Sequence, residues 1–400
     1  MKKILIFAPF FSPAYKAGGP IKSIKSLADF LSKDYEIYIF TNNRDIDGSL
    51  LDIDSNKWIN CNNYSVFYTD KIGFIKNINI FLKLIKKVDL IYLNSFFNLF
   101  YSFFPFLLFS FFKVKFLIAP RGEFCDEALK IKKNKKKLFL CFVSLFFKGL
   151  LKRVSWHFTS NKELKESINN MSKYNILIDK FYLASNLSNV SLLLNSSEDI
   201  EKKYSLNYLD KYHCLKLVFL SRISPIKNLK FCLVVLKEVK SNVIFDIYGP
   251  IENKEYWEEC CEIINSLPEN IKVRYLGSVD QNHVKQVLEH YNVFFLPTLG
   301  ENFGHAIYEA LSAGLLTLIS DNTPWVNLSK YQVGYDLPLD SINKFVDIIE
   351  GYSFMSKIDL EKSRLRSKEF VSIYLNENQI KEDINVMFYS VLNDSEFKNV

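Results

Sequence analysis

The 400-residue sequence contains no C-x-x-C pair, and no G-x-G-x-x-G follows its first apolar run. Its seven cysteines are scattered, with Cys260–Cys261 the one adjacent pair. An odd, unspaced set argues against a zinc site or a disulfide frame, and for reduced thiols in a cytoplasmic protein. Without the glycine fingerprint, dinucleotide binding is disfavoured. The apolar start, MKKILIFAPFF, imitates a signal peptide but is short, ends at Pro13 and has no small-residue cleavage site behind it. A first buried strand is the better reading. A D-x-D at a strand end is also lacking, since Asp52-Ile53-Asp54 falls in a polar early loop. The uncharged run from Ser95 to Phe112 spans 18 residues, the lower edge of what a membrane-spanning helix requires. Pro105 interrupts it and Asn98 dilutes it, so it reads as a buried or partly membrane-touching helix.

What the chain does have is apolar material in β/α alternation. With 48% hydrophobic residues it is globular, and 400 residues suggest two domains, each with its own core. We read residues 1–185 as a first Rossmann-like domain and 186–370 as a second. The Ser/Asn-rich stretch 184–199 is read as the linker, and 371–400 as a C-terminal helix. Strand, loop, helix recurs. Residues 3–9 are followed by Gly18-Gly19-Pro20 and by helical apolar spacing over 21–31. Residues 215–220 are followed by SRISPIKNL, in which Arg222 and Lys227 stand five apart. At the carboxyl end of a parallel strand two such cations suit a diphosphate, Arg by bidentate hydrogen bonds and Lys as a compact charge.

The most informative stretch is 297–325, PTLGENFGHAIYEALSAGLLTLISDNTPW. An apolar strand, residues 293–296, precedes it, and Ala306, Ile307, Ala310 and Leu311 recur at helical spacing. Glu301 falls in the loop and Glu309 about two turns into the helix. The first amides of that helix, around Phe303–His305, have no partner within it, so they and the helix dipole favour oxygen acceptors. Gly304 permits close approach of a ligand to the backbone.

This stretch resembles the donor-binding signature of the retaining, nucleotide-sugar-dependent glycosyltransferases of family 4, which have the GT-B architecture. The matching positions are Glu301, Phe303, Gly304 and Glu309. The GGP loop, the Pro120-Arg121-Gly122 stretch and the Arg222…Lys227-Asn228 loop also match in order. The resemblance implies two Rossmann-like β/α/β domains facing each other across a cleft, the C-terminal helix crossing back to the first. It implies catalytic roles for Arg222, Lys227 and Glu301. Donor contacts would come from Gly18, Gly19, Arg222, Lys227, Asn302, Phe303, Gly304, His305 and Glu309, with Arg121 a candidate acceptor or phosphate contact. The implied activity is hexosyl transfer with retention, from a UDP- or GDP-linked sugar to a lipid-linked bacterial surface glycan of O-antigen, capsule or lipopolysaccharide type. No metal and no further cofactor would be required. Other GT-B chemistry (a phosphorylase or nucleotide-sugar epimerase) and a non-catalytic glycan- or nucleotide-binding protein are the alternatives.

The formal charge of +7 is unevenly placed. The segment from Lys130 to Val154 joins a dense lysine cluster to an aromatic, apolar stretch, a pattern suited to an anionic membrane interface. Nucleic acid is not indicated, because no recognised module accompanies the patch. The expected location is cytoplasmic and peripheral at the inner face of the membrane. His157, alone within an apparent strand, reads as a core histidine more readily than as a general base.

Overall fold

A computed structural model of the chain describes residues 1–61, 63–187 and 214–394. It divides into two compact units, Met1–Ser188 with Glu377–Val400, and Asn189–Asn376. Most of the Ser/Asn-rich stretch read as a linker, residues 188–199, lies outside the described residues.

The first unit is built on an eight-stranded sheet, and both of its long apolar faces are covered. Its strands are β1 (Lys3–Phe7), β2 (Glu36–Thr41), β3 (Trp58–Cys61), β4 (Tyr64–Tyr68), β5 (Leu90–Leu93), β6 (Lys115–Ile118), β7 (Val154–Phe158) and β8 (Lys180–Leu183). They lie in the order β3-β4-β2-β1-β5-β6-β7-β8. All neighbours are parallel except the β3–β4 pair. The central strands are continuous apolar runs because helices pack on both sides of a parallel sheet. Phe40 is a hub of that core, its ring 4.8–6.1 Å from those of Phe7, Phe67, Phe74, Phe81 and Tyr101. The helix Glu377–Asn393 belongs to this unit. Its Phe388 ring lies 5.9 Å from that of Tyr92, and Lys2 Nζ donates to the Leu392 carbonyl at 2.9 Å.

Residues 95–112 do not form one helix. Asn98 Oδ1 accepts from the amides of Phe100 and Tyr101 and starts a π turn at Leu99–Phe103. A short helix, Phe104–Phe109, follows with Pro105 in its first turn, where the missing N–H is not needed. Among the described residues no helix is long and apolar enough to cross a membrane. A helix over Asn161–Ser172 starts with a reciprocal cap: Ser160 Oγ accepts from Glu163 N at 3.1 Å while Glu163 Oε2 accepts from Thr159 N at 2.8 Å.

The second unit is a six-stranded parallel sheet with strand order β11-β10-β9-β12-β13-β14. The strands are β9 (Leu215–Leu220), β10 (Val243–Tyr248), β11 (Ile271–Tyr275), β12 (Val293–Leu296), β13 (Leu316–Ser320) and β14 (Gly334–Leu337). From β9 the chain winds outward through β10 and β11, then returns to lay β12 on the other side of β9. The connection thus reverses direction between β9 and β12. Loops leaving the carboxyl ends of those two strands diverge at that point, which is where open α/β sheets bind ligands.

Candidate active site

Both loops at this switch point carry the residues singled out by the sequence. After β9, Ile223 N donates to Pro250 O at 2.9 Å, and a parallel bridge joins Ile223 to Ile251. A 3-10 turn at Pro225–Lys227 then ends in Asn228, held in the left-handed region at φ 58°. After β12 the chain turns through Pro297 to Gly304 before entering the helix His305–Ser312. Three hydrogen bonds stitch the two loops together. Leu299 N donates to Ile226 O at 2.8 Å, Thr298 Oγ1 to Ile226 O at 2.9 Å, and Asn228 Nδ2 to Pro297 O at 2.9 Å.

That stitching brings Lys227 Nζ to 2.5 Å from Glu301 Oε1, with each side chain only 13% exposed. Arg222 is held differently: its guanidinium donates from NH1 to Glu252 Oε2 at 2.8 Å. The two ion pairs together engage two cations and two carboxylates. Each bond uses one donor of five on Arg222 and one of three on Lys227, so further donors remain on both for an oxygen-rich anion.

The helix His305–Ser312 opens on Gly304 at φ 78°, with no side-chain cap and no acidic residue in its first turn. The backbone conformation favours glycine there, and a Cβ at Gly304 would lie 2.9 Å from Ile307 Cδ1 and 3.2 Å from Trp325 Nε1, so both neighbours would have to shift. Trp325 fixes the loop from beneath, donating from Nε1 to Phe303 O at 2.6 Å. The Phe303 ring lies 4.6 Å from that of His305. Glu301 N donates to Asn322 O at 3.1 Å, which holds the glutamate's backbone in place. Two buried polar atoms in these loops, Ser224 Oγ and Asn302 Oδ1, have no hydrogen-bond partner among the described residues. Such atoms are costly in a purely structural loop. Glu309 lies on the helix, half-buried.

Gly18, Gly19 and Arg121 belong to the first unit. Gly18, at φ 72°, caps the helix Gly19–Leu31 without a side-chain hydrogen bond. The loop before it is pinned by Asp45, whose Oδ2 accepts from the amides of Tyr15 and Lys16 at 3.0 and 3.1 Å. Asp45-Ile46-Asp47 is a second D-x-D that the sequence reading passed over. Its Asp47 pairs with Lys16 at 2.6 Å, and the bonds from Lys16 and Ser49 bring its carboxyl down to about 2. Among the described residues no group of three or more His, Cys, Asp or Glu side chains is placed to hold a metal ion.

Arg121 sits at φ 54° and is heavily engaged. It donates from Nε to Asn94 Oδ1 and from NH2 to Tyr92 Oη, both at 2.7 Å, and from NH1 to Asn186 Oδ1. Tyr92 Oη in turn meets His157 Nδ1 at 2.9 Å, while His157 Nε2 lies 2.8 Å from Ala184 O. A carbonyl can only accept, so Nε2 carries the ring proton and Nδ1 accepts from the tyrosine. Burial, then Arg121, pushes the His157 pKa down to about 3. Both ring nitrogens are occupied, which makes His157 a structural histidine.

Residues 213–331 match the family model described as glycosyl transferases group 1. Within the second unit, this span therefore matches a glycosyltransferase domain. The matched span contains Arg222, Lys227, Glu252, Glu301 and Glu309. An uncharacterized glycosyltransferase of Methanocaldococcus jannaschii is 25% identical over 238 residues, 57% of this chain and 58% of that one. A GDP-mannose:cellobiosyl-diphosphopolyprenol alpha-mannosyltransferase of Xanthomonas oryzae pv. oryzae is 30% identical over 104 residues, 26% of this chain and 27% of that one. The chain thus spans about half, or less, of the length of these relatives.

Whole-chain likeness appears among solved structures. Sucrose-phosphate synthase from Thermosynechococcus elongatus superposes with a TM-score of 0.73 at 15% identity, covering 99% of this chain and 100% of that one. An Anabaena protein solved with UDP and glucose gives 0.65 at 13%, covering 98% and 100%. A glycosyltransferase involved in lipopolysaccharide biosynthesis gives 0.65 at 10%, also covering 98% and 100%. The fold is GT-B, with the span that matches the glycosyl transferases group 1 model in its second Rossmann-like unit.

Two residues of this domain escaped the sequence reading. Glu252 carries no local signal, because its role depends on β10 lying beside β9. Ser224 lay within the quoted loop but is an ordinary residue type there. Its lack of a partner is visible only in three dimensions.

Proposed function

We propose that the chain is a retaining family 4 glycosyltransferase that takes a hexose-type sugar from a nucleoside-diphosphate sugar. The observation that carries this reading is the meeting of Lys227 with Glu301 at the mouth of the His305–Ser312 helix, with Arg222 on the same strand-end loop. Arg222 and Lys227 take up the charge of the diphosphate. The uncapped amides at the helix start supply further donors, and Glu301 accepts from sugar hydroxyls. Glu309 is assigned to the ribose diol, in keeping with the resemblance.

The leaving nucleoside diphosphate gains negative charge as the glycosidic bond breaks. Donors fixed in place before the reaction stabilise that charge without reorganising, at about 3–4 kcal/mol of barrier for a well-placed one. Cationic side chains and amides therefore stand in for a metal ion in this reading. Retention without an assigned nucleophile is written as same-face attack, the departing phosphate receiving the acceptor's proton. The acceptor is a lipid-linked surface glycan of O-antigen, capsule or lipopolysaccharide type. The Xanthomonas relative, named for a diphosphopolyprenol acceptor, and the shared fold with a lipopolysaccharide enzyme support that choice.

Thermal-shift measurements with UDP, GDP and ADP test donor binding, since a ligand selective for the native state raises Tm. One of the uridine or guanosine nucleotides should stabilise the protein, and Arg222→Ala or Lys227→Ala should remove the shift. Turnover with a labelled nucleotide sugar should persist in EDTA and yield a product with the donor's anomeric configuration. Full turnover by an Arg222→Ala/Glu301→Ala double variant would reject the assignment.

A further inference from the structure

The helix Lys133–Leu151 presents apolar side chains on two faces. Leu140, Val143 and Leu151 are buried in the first unit, yet Leu138, Leu145 and Phe146 are 74%, 75% and 64% exposed. Packing accounts for the first set only. Ring contacts connect this helix to two other elements that also expose apolar side chains. Phe142, 45% exposed, has its ring 6.4 Å from Phe103 of the π turn and 5.2 Å from Phe146. Phe104, 41% exposed, has its ring 6.4 Å from Phe100 and 5.8 Å from Phe74. Phe74, itself buried, anchors the helix Lys71–Lys76, whose Ile72 and Ile75 are 63% and 59% exposed. Large outward-facing patches of this kind mark interaction surfaces rather than ordinary protein exterior.

Charge identifies what covers it. Residues 131–153 contain eight Lys or Arg and no Asp or Glu, more positive charge than the +7 of the whole chain. Lys133, Lys135 and Lys136 stand in the first turn of the helix, where the dipole disfavours cations and no acidic residue compensates. The residue before it, Lys132, is in the left-handed region at φ 54°, without a capping bond. Local helix stability is therefore sacrificed to this placement of charge. Lys71 adds a cation on the other side, its Nζ 4.9 Å above the Phe100 ring. A second copy of the chain would bring this cationic rim against its like, so a self-complementary interface is disfavoured.

We propose that these three elements form one platform that seats the first unit on an anionic lipid surface. The rings and isoleucines enter the acyl boundary and the lysines meet the headgroups. This extends the membrane contact expected of residues 130–154 to the Lys71–Lys76 helix and the π turn. It stands independently of the donor-site reading.

The test is sedimentation of the full chain with phosphatidylcholine vesicles, with and without phosphatidylglycerol, at low and high ionic strength. Partition should require the anionic lipid and fall with salt. A Lys133→Glu/Lys137→Glu variant should partition more than ~10-fold less, and Leu145→Ser/Phe146→Ser and Ile72→Ser/Ile75→Ser should each weaken binding. All six positions are exposed, so the fold and the nucleotide thermal shift should be retained, with Lys133→Glu if anything raising Tm by relieving the helix start, which separates failure here from failure of the donor site. Equal partition onto neutral vesicles, or none onto anionic ones, overturns the proposal. So does concentration-dependent dimerisation abolished by the same variants, which would make the occupant a second copy. Wild-type binding by the Ile72/Ile75 variant would overturn the three-element platform.

Discussion

Lys227 and Glu301 are 74 positions apart in the chain, yet their side chains meet in a 2.5 Å ion pair that is mostly shielded from water. The pair closes the gap between the loops after β9 and β12, at the point where the strand order of the second sheet reverses.

Removing either partner leaves a largely buried charge without its counterion. Lys227→Met and Glu301→Gln should each cost about 1–3 kcal/mol of stability, and the double variant less than their sum, with a coupling of about 0.5–3 kcal/mol. Denaturant unfolding of the four proteins measures this. If the proposed chemistry is right, Lys227→Ala also lowers turnover by about 100-fold or more.

Arg222 and Glu252 form a more open pair, 28% and 37% exposed, and such pairs contribute about 0–1 kcal/mol. Arg222→Ala should therefore leave Tm almost unchanged while abolishing the nucleotide thermal shift. Glu252→Gln keeps the loop's shape but removes the competing carboxylate, so nucleotide affinity should rise; calorimetric titration reads the sign. Weaker binding in Glu252→Gln would mean that the carboxylate orients the arginine rather than competing for it.

Gly304→Ala combines a left-handed backbone with a Cβ 2.9 Å from Ile307 Cδ1 and 3.2 Å from the Trp325 indole nitrogen. The expected loss is about 1–3 kcal/mol, with a weakened Trp325–Phe303 hydrogen bond. Trp325 emission should shift in the variant, and nucleotide binding should weaken more than the loss of stability alone explains.

His157 ties stability to pH. Its pKa of about 3 in the folded protein lies below the ordinary 6.5, so between those values the unfolded chain binds the additional proton. Stability from this group is fully present above pH ~6.5 and falls as the pH drops toward ~3, at up to about 1.4 kcal/mol per pH unit. A His157→Gln variant should be less stable at neutral pH but show a shallower decline through this window. Parallel curves for the two proteins would rule out the buried neutral histidine.

Much of this protein is determined by sequence alone, because the signals are local. Three- and four-residue spacing places the helices at Gly19–Leu31 and His305–Ser312. The Ser160–Glu163 spacing marks a helix start, and continuous apolar runs mark strands buried on both faces. Arg222 and Lys227, five apart after an apolar strand run, sufficed to suggest diphosphate chemistry. The antiparallel β3–β4 pair was not legible: Trp58–Cys61 alternates weakly and only its pairing with Tyr64–Tyr68 makes it a strand. Nor was the π turn in residues 95–112: Pro105 and Asn98 mark the run as interrupted, but that the Asn98 side chain starts the turn shows only in the fold.

Partnership was decided by tertiary structure. Nothing in the sequence near Lys227 names Glu301 rather than Glu252 as its counterion, because that choice follows from β12 lying on one side of β9 and β10 on the other. The same holds for Arg121, a cation whose guanidinium is taken up by Asn94, Tyr92 and Asn186 once parallel strands bring their carboxyl ends together. Periodicity reports which way a side chain faces; only the crossing of the chain from one sheet edge to the other fixes what it faces.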